Sequence, residues 1–178
     1  MYLIYTHIVS KVELIPIFQN NYVFLILNED QTEAILIDPG EATAAIKEIE
    51  NRDLKLKGIL VTHHHADHID GLQKLKDRFQ APVYAPLKNK SQIKADHYVI
   101  DGDKLKINSF VIQVVDLPGH TLGHNAYWFA EQSWLFSGDV LFGLGCLRLF
   151  EGSYDIAFDS LQKIKSLPAE TQIYCTHE

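Results

Sequence analysis

Four residues able to ligate a metal, His63, His65, Asp67 and His68, stand within six positions of one another in the run Thr62-His63-His64-His65-Ala66-Asp67-His68. The run follows residues 58–61, a short apolar stretch that reads as a buried strand. It leads into residues 67–79, where Ile69, Leu72, Leu75 and Phe79 recur at helical spacing. A chain that ends a strand and opens a helix around four such groups needs sheets that deliver polar residues at one edge, the C-terminal edge of their strands. In extended backbone, residues two apart point the same way, so His63 and His65 face one side and His64 the other. Adjacent histidines repel when charged and gain little in a core, so the run reads as a metal site. Imidazole and carboxylate suit zinc, and iron or manganese as well. Four groups this close in sequence cannot all reach one ion without strain. Two ions, each taking a pair, is the easier geometry, and each then needs further ligands from elsewhere.

Three islands supply candidates. His120 lies in the turn Pro118-Gly119-His120 after an apolar run ending near Leu117. Asp139 follows Leu135-Phe136 in Ser137-Gly138-Asp139, and His177 follows the last apolar run in Cys175-Thr176-His177. Each time a ligand-type residue comes directly after a strand. Alone, Asp139 would read as a turn aspartate and His177 as a residue near a chain end. They gain weight because the first cluster requires partners. His7 and His97 read as solvated or capping residues, His124 as a structural hydrogen-bonding group near the site, and His64 as a supporting or surface residue.

Elsewhere, strands are expected over residues 11–17, 22–27, 33–37, 83–85 and 97–100, a pair within 104–116, a hairpin of 124–129 with 133–136, and a last strand at 172–175. Helices are expected over 41–51, 67–79 and 153–166. Strands thus dominate without simple alternation, which gives a mixed sheet system with helices outside. The 178 residues suit one domain, and a net charge of -7 argues against a nucleic-acid partner, which would need a basic face. Two cysteines, Cys146 and Cys175, make no disulfide framework and fit the reduced cytoplasm. The opening residues lack the pattern of a signal peptide, and no run reaches the ~18 apolar residues of a membrane span.

The order His63-x-His65-x-Asp67-His68, then His120, Asp139 and His177, resembles the metallo-β-lactamase superfamily from about Val12 to Glu178. The resemblance implies an α/β (α+β) fold, an αββα sandwich of two mixed β-sheets flanked by helices, with residues 1–178 as its catalytic domain. It implies one ion on His63, His65 and His120, a second on Asp67, His68 and His177, and Asp139 bridging them. A narrower resemblance is to glyoxalase II, the hydroxyacylglutathione hydrolases. It rests on Ile15-Pro16 with Asn20-Asn21-Tyr22, on Ile37-Asp38-Pro39-Gly40, and on Pro118-Gly119-His120-Thr121-Leu122-Gly123-His124. Most specific are Phe136-Ser137-Gly138-Asp139-Val140-Leu141-Phe142 and Gly145-Cys146-Leu147-Arg148-Leu149-Phe150-Glu151-Gly152. Two departures stand out. Leu147 occupies a position where that family usually has glycine. The family also continues with a tyrosine and a helical C-terminal domain that helps hold glutathione, so a truncated chain is expected at Glu178.

What the narrower resemblance implies is hydrolysis of S-(2-hydroxyacyl)glutathione, such as S-lactoylglutathione, to glutathione and a 2-hydroxy acid. Two divalent ions, zinc foremost, would serve it, with Asp67 and Asp139 as catalytic carboxylates. Arg148 would meet the glutathione, and Phe150 and Tyr22 would line its pocket. A small-molecule substrate, no membrane, a monomer and the cytoplasm complete the expectation. The alternatives are an oxidoreductase resembling the mononuclear-iron persulfide dioxygenases, and a lactonase of the same fold. His68 and His177 as true ligands would disfavour the first.

Overall fold

The structure is a computed structural model that describes residues 10–177; Met1 to Val9, His7 among them, and Glu178 lie outside the described residues. The chain opens with an antiparallel meander, β1 (Lys11–Ile17), β2 (Asn21–Leu27) and β3 (Glu33–Ile37). Helix α1 (Thr43–Asn51) then carries it across to β4 (Lys55–Leu60), which lies parallel to β3. Two helical pieces, α2 (Ala66–Ile69) and α3 (Leu72–Phe79), lead to β5 (Val83–Pro86), and β6 (His97–Val99) closes a six-stranded mixed sheet in sequence order.

The second sheet contains β7 (Lys104–Ile107), β8 (Phe110–Asp116), β9 (Asn125–Phe129) and β10 (Trp134–Gly138), each antiparallel to the next. A small hairpin follows, β11 (Leu141–Phe142) with β12 (Gly145–Cys146), and then α4 (Tyr154–Lys165). Strand β13 (Gln172–Cys175) returns to lie parallel to β10, giving the order β13-β10-β9-β8-β7.

The strand pattern dictates the layers. On β2, Val23, Leu25 and Leu27 point to one face and meet Ala45 and Ile49 of α1 and Leu72 and Leu75 of α3. The alternate residues Phe24 and Ile26 point to the other face and meet Phe110, Ile112, Tyr127, Phe129 and Phe136 of the second sheet. A strand apolar on both faces must be covered on both. The second sheet buries Ala126 and Leu135 on its far face with Ile164 of α4. The result is the αββα sandwich expected from the resemblance. Each fully buried Leu, Ile or Phe of these layers contributes about 2 kcal/mol of apolar transfer, so a charge at Ile26 would break the sandwich at its centre.

Local signals explain the helix ends. Ser153 caps α4, its Oγ accepting from the Ile156 N–H at 3.4 Å, with Asp155 in the first turn and Lys163 and Lys165 in the last. The helix expected over 67–79 is instead two pieces. The Gly71 N–H donates to Pro39 O at 2.9 Å, and a Cβ on Gly71 would lie 2.4 Å from that oxygen. The Asp38-Pro39-Gly40 turn therefore pushes against the helix and interrupts it. The β11–β12 hairpin was not anticipated from the sequence. No helix among the described residues is long and apolar enough to cross a membrane.

Candidate metal centre

Strands β8 and β10 both run antiparallel to β9, and β13 runs parallel to β10, so all three end at one edge of their sheet. Just beyond their ends come His120, Asp139 and His177. Strand β4 of the facing sheet ends at the same place and releases the Thr62–His68 run. Three bonds tie the sheets there: the buried Tyr127 hydroxyl donates to Val61 O at 2.7 Å, the Asn125 N–H donates to Thr62 O at 2.9 Å, and the Tyr22 N–H donates to Thr176 O at 2.9 Å. The turn that aims Asp139 needs Gly138, which has φ +53°. A Cβ there would lie 2.7 Å from both His124 Nε2 and Thr62 Oγ1.

The donor atoms converge in two groups. His63, His65, His120 and Asp139 form one and Asp67, His68 and His177 the other, the ligand atoms within each lying no more than 4.8 Å apart. Asp139 faces both. Its Oδ1 is 3.3 Å from His68 Nε2, and its Oδ2 is 3.3 Å from His120 Nε2 and 3.3 Å from His177 Nε2. Asp67 Oδ2 lies 3.4 Å from His177 Nε2 and 3.7 Å from His68 Nε2. All the ligand-type residues singled out in the sequence are thus brought together.

Hydrogen bonds behind the cluster set which ring nitrogens face inward. The Thr62 hydroxyl donates to Asp38 Oδ2 at 2.7 Å, so Thr62 Oγ1 meets His63 Nδ1, 3.0 Å away, as an acceptor. His63 therefore carries its proton on Nδ1 and turns the Nε2 lone pair to the site. His120 Nδ1 lies 2.7 Å from Arg148 O, which can only accept, so its Nε2 lone pair also faces inward. These two Nε2 atoms each lie 3.0 Å from His65 Nδ1. A proton on His65 Nδ1 could satisfy one contact and would leave the other Nε2 lone pair without a donor. A cation satisfies all three, and the donor set of imidazoles and carboxylates suits one. Both ring nitrogens of His68 and Asp139 Oδ1 are buried without a well-angled hydrogen bond, which fits the same group.

The electrostatics agree. Burial, then the neighbouring His68, holds His63 well below the usual imidazole range. Burial lowers His65 and His120 as well, the latter against the pull of Asp139. Burial also opposes charge on His68, but Asp38 and Asp139 outweigh it and raise it to about 10. For Asp139 burial works against ionisation, and His177 and His68 overcome it to hold the carboxyl far below its ordinary value. The site thus keeps His63, His65 and His120 neutral beside an ionised Asp139, the state in which such groups bind metal, whereas His68, held charged by Asp38 and Asp139, would give up a proton on binding one.

The sequence reading did not single out Asp38 or Asn21 as functional. Asp38 is fully buried with φ +50°, accepts from the Thr62 N–H and hydroxyl at 2.7 Å each, and lies 3.1 Å from His68 Nδ1. It orients two ligand-type histidines at once, the role of an outer-sphere carboxylate at a metal site. Its signal was present: it too follows an apolar strand at the shared edge. The Asn21 side-chain amide donates to Asp67 Oδ2 at 2.9 Å. His124 accepts from the Asp139 N–H at 3.2 Å, stacks on His63 and is lowered to about 3 by burial. His97 stacks on Tyr84 away from the cluster.

Arg148 and Phe150 lie on the segment that crosses the cluster. The Phe150 ring sits edge-on to His65 and His120, 5.1 Å from each, and the Arg148 guanidinium lies 4.9 Å over Phe150. Tyr22 is partly buried against the core between the sheets, and its backbone N–H donates to Thr176 O beside His177. Leu147 has no positive φ and packs against the core under α4, so the position takes a side chain without strain.

A profile of the metallo-beta-lactamase superfamily matches residues 16–177. A hydroxyacylglutathione hydrolase of Bdellovibrio bacteriovorus is 52% identical over 170 residues, covering 95% of this chain and 68% of that protein. Among solved structures, the BLEG-1 B3 metallo-beta-lactamase superposes with a TM-score of 0.88 at 30% identity, over 94% of this chain and 92% of that one. TTHA1623 in a di-iron-bound form superposes with a TM-score of 0.80 at 26% identity, over 94% of this chain and 92% of that one. With one edge of the sandwich collecting these histidines and aspartates, and with relatives this close, the chain belongs to the metallo-β-lactamase superfamily and, within it, to the hydroxyacylglutathione hydrolase family.

Proposed function

We propose that this protein hydrolyses S-(2-hydroxyacyl)glutathione, S-lactoylglutathione being the model substrate, with two divalent ions at the sheet edge. The observation that carries the two-ion reading is the position of Asp139, whose carboxylate lies 3.3 Å from His120 of one donor group and 3.3 Å from both His68 and His177 of the other. The di-iron form of TTHA1623 supports it, as does the convergence of Asp67, His68 and His177, which a mononuclear site would not need. In this reading His63, His65 and His120 hold one ion, Asp67, His68 and His177 the other, and Asp139 both. Zinc is the first expectation for such ligands. Bound there, the ions act as Lewis acids and bring the pKa of water down to about 7.

The chain's own residues do the rest. Asp67, anchored by Asn21, orients the attacking water. Water adds its oxygen to the thioester carbonyl carbon, the carbon–sulfur bond breaks, one of the water's protons ends on the departing thiolate, and the other leaves with the 2-hydroxy acid, which ionises to its carboxylate. A thiolate leaves readily, so no strong general acid is needed and neither cysteine has to act as nucleophile. Arg148 offers a cation to the glutathione moiety, and Phe150 gives the acyl end an apolar wall beside His65 and His120. Two cysteines, Cys146 and Cys175, make no disulfide framework, which fits a reduced compartment such as the cytoplasm.

The test is hydrolysis of S-lactoylglutathione by metal-loaded protein, with metal content determined and a chelator control. Chelator-sensitive turnover with two ions per chain is the expected result. Two bound ions without turnover would sink the substrate and leave the site. One iron per chain would turn the reading toward the oxidoreductase alternative.

A further inference from the structure

His64 is the one histidine of the Thr62–His68 run that points away from the donor cluster, and it is well connected. The Asn89 side-chain amide nitrogen lies 2.8 Å from His64 Nδ1. An amide nitrogen can only donate, so His64 Nδ1 accepts and its proton sits on Nε2. That Nε2 lies 3.5 Å from Glu151 Oε1. The other oxygen, Glu151 Oε2, accepts from the Leu122 N–H at 2.7 Å. Asn89 is buried, and its side chain packs against Gly123, where a Cβ would lie 2.6 Å from Asn89 Oδ1.

One chain of polar contacts thus joins the turn at Asn89, the His63–His68 run, the 118–124 loop and Glu151. Glu151 follows Phe150 directly. The segment it belongs to is also laid along the His120 loop by backbone: the Phe150 N–H donates to His120 O and the Gly152 N–H to Gly119 O, each at 3.1 Å. Those backbone bonds set the path of the segment but leave its distance from the His65 side of the cluster open. Beside the edge-on contact of Phe150 with His65, the polar side chain that reaches across that distance is His64.

We propose that His64 is a positioning residue which, with Asn89 and Glu151, clamps residues 148–152 across the donor cluster and so fixes Phe150 and Arg148 where the substrate is gripped. The clamp rests on the thioester-hydrolase reading only for what is gripped; its mechanical part does not. His64 touches neither substrate nor reacting atoms in this account. It acts through Glu151 on a wall of the site that binds ground state and transition state alike, so its loss should appear in KM rather than in kcat.

The experiment compares the parent protein with His64→Ala, Glu151→Ala, the double variant and His64→Gln, which retains one acceptor and one donor. Three quantities are read: metal content, amide hydrogen exchange of residues 148–152, and kcat and KM for S-lactoylglutathione. Both single alanine variants should keep parental metal content, exchange the Phe150 and Gly152 amides faster, and raise KM about tenfold with little change in kcat. The double variant should be no worse than the worse single, because the two residues act as one unit, and His64→Gln should recover part of both effects. Unchanged exchange at 148–152 in His64→Ala overturns the clamp. So does loss of metal in step with activity, which would place His64 in the support of the ligand run instead. If the parent holds metal but does not hydrolyse the thioester, the substrate reading fails, and the exchange comparison still decides the clamp.

Discussion

At the scale of single residues, the two buried aspartates of the site do different work and should fail differently. Asp139 faces both donor groups, so Asp139→Ala should lower metal content and turnover together. An Asp139→Ala protein with full metal occupancy, measured by elemental analysis, would remove the bridging role. Asp38 holds no donor position in the cluster. Its removal in Asp38→Ala takes away the acceptor of the Thr62 N–H and of the Thr62 hydroxyl in a fully buried place and strands the N–H. An unpaired buried donor costs about 1–3 kcal/mol, so the unfolding free energy measured in urea should fall by about that much for the Thr62 N–H. The freed Thr62 hydroxyl can then donate to His63 Nδ1, which moves the histidine's proton to Nε2 and blocks the lone pair that faces the site. Asp38→Ala should therefore weaken metal binding as well as stability. A variant as stable as the parent would show that Thr62 finds another acceptor.

At the scale of elements, geometry and propensity disagree at Gly71, and the disagreement can be measured. In a helix Ala is favoured over Gly by about 1 kcal/mol, and read from sequence alone Gly71→Ala should stabilise residues 67–79. In the structure that Cβ would lie 2.4 Å from Pro39 O and 2.9 Å from the Ala42 N. Backbone cannot yield as a side-chain tip can, so a loss of about 1–3 kcal/mol is expected instead, read as a lower Tm. The same contrast shows what the sequence could reveal. Lys11–Ile17, Glu33–Ile37 and Gln172–Cys175 were legible to the residue because alternation and flanking turns are local. Ligand-type residues after strands were legible for the same reason. The break at Gly71 was not, because its cause is a turn some thirty positions upstream, nor was the β11–β12 hairpin, whose strands are two residues each. In the sequence Asp38 and Glu151 stand out only as parts of motifs, since their partners, Thr62, His68, His64 and Leu122, are assembled by the fold.

At the scale of the whole molecule, the donor groups are what the two sheets share. Four donor-type residues follow β4 of the first sheet, and His120, Asp139 and His177 follow β8, β10 and β13 of the second. Ions bound between them would staple the sandwich at the edge where the Tyr127–Val61 bond is a buried side-chain tie. A ligand that binds only the folded state stabilises it by RT ln(1 + [L]/Kd), about 2.7 kcal/mol when its free concentration is a hundred times Kd. For a domain of this size 1 kcal/mol shifts Tm by roughly 2–4 °C. Stripping the metal should therefore lower Tm by about 5–10 °C or more, and the shift should grow with metal concentration in the loaded sample. The control is Asp139→Ala. If the stapling runs through the group common to both donor sets, that variant should lose most of the chelator-induced shift. Should chelation leave Tm unmoved while abolishing turnover, the folded sandwich would be complete without its ions, and the facing lone pairs of His63, His65 and His120 would be held together by the packing of the sheets alone.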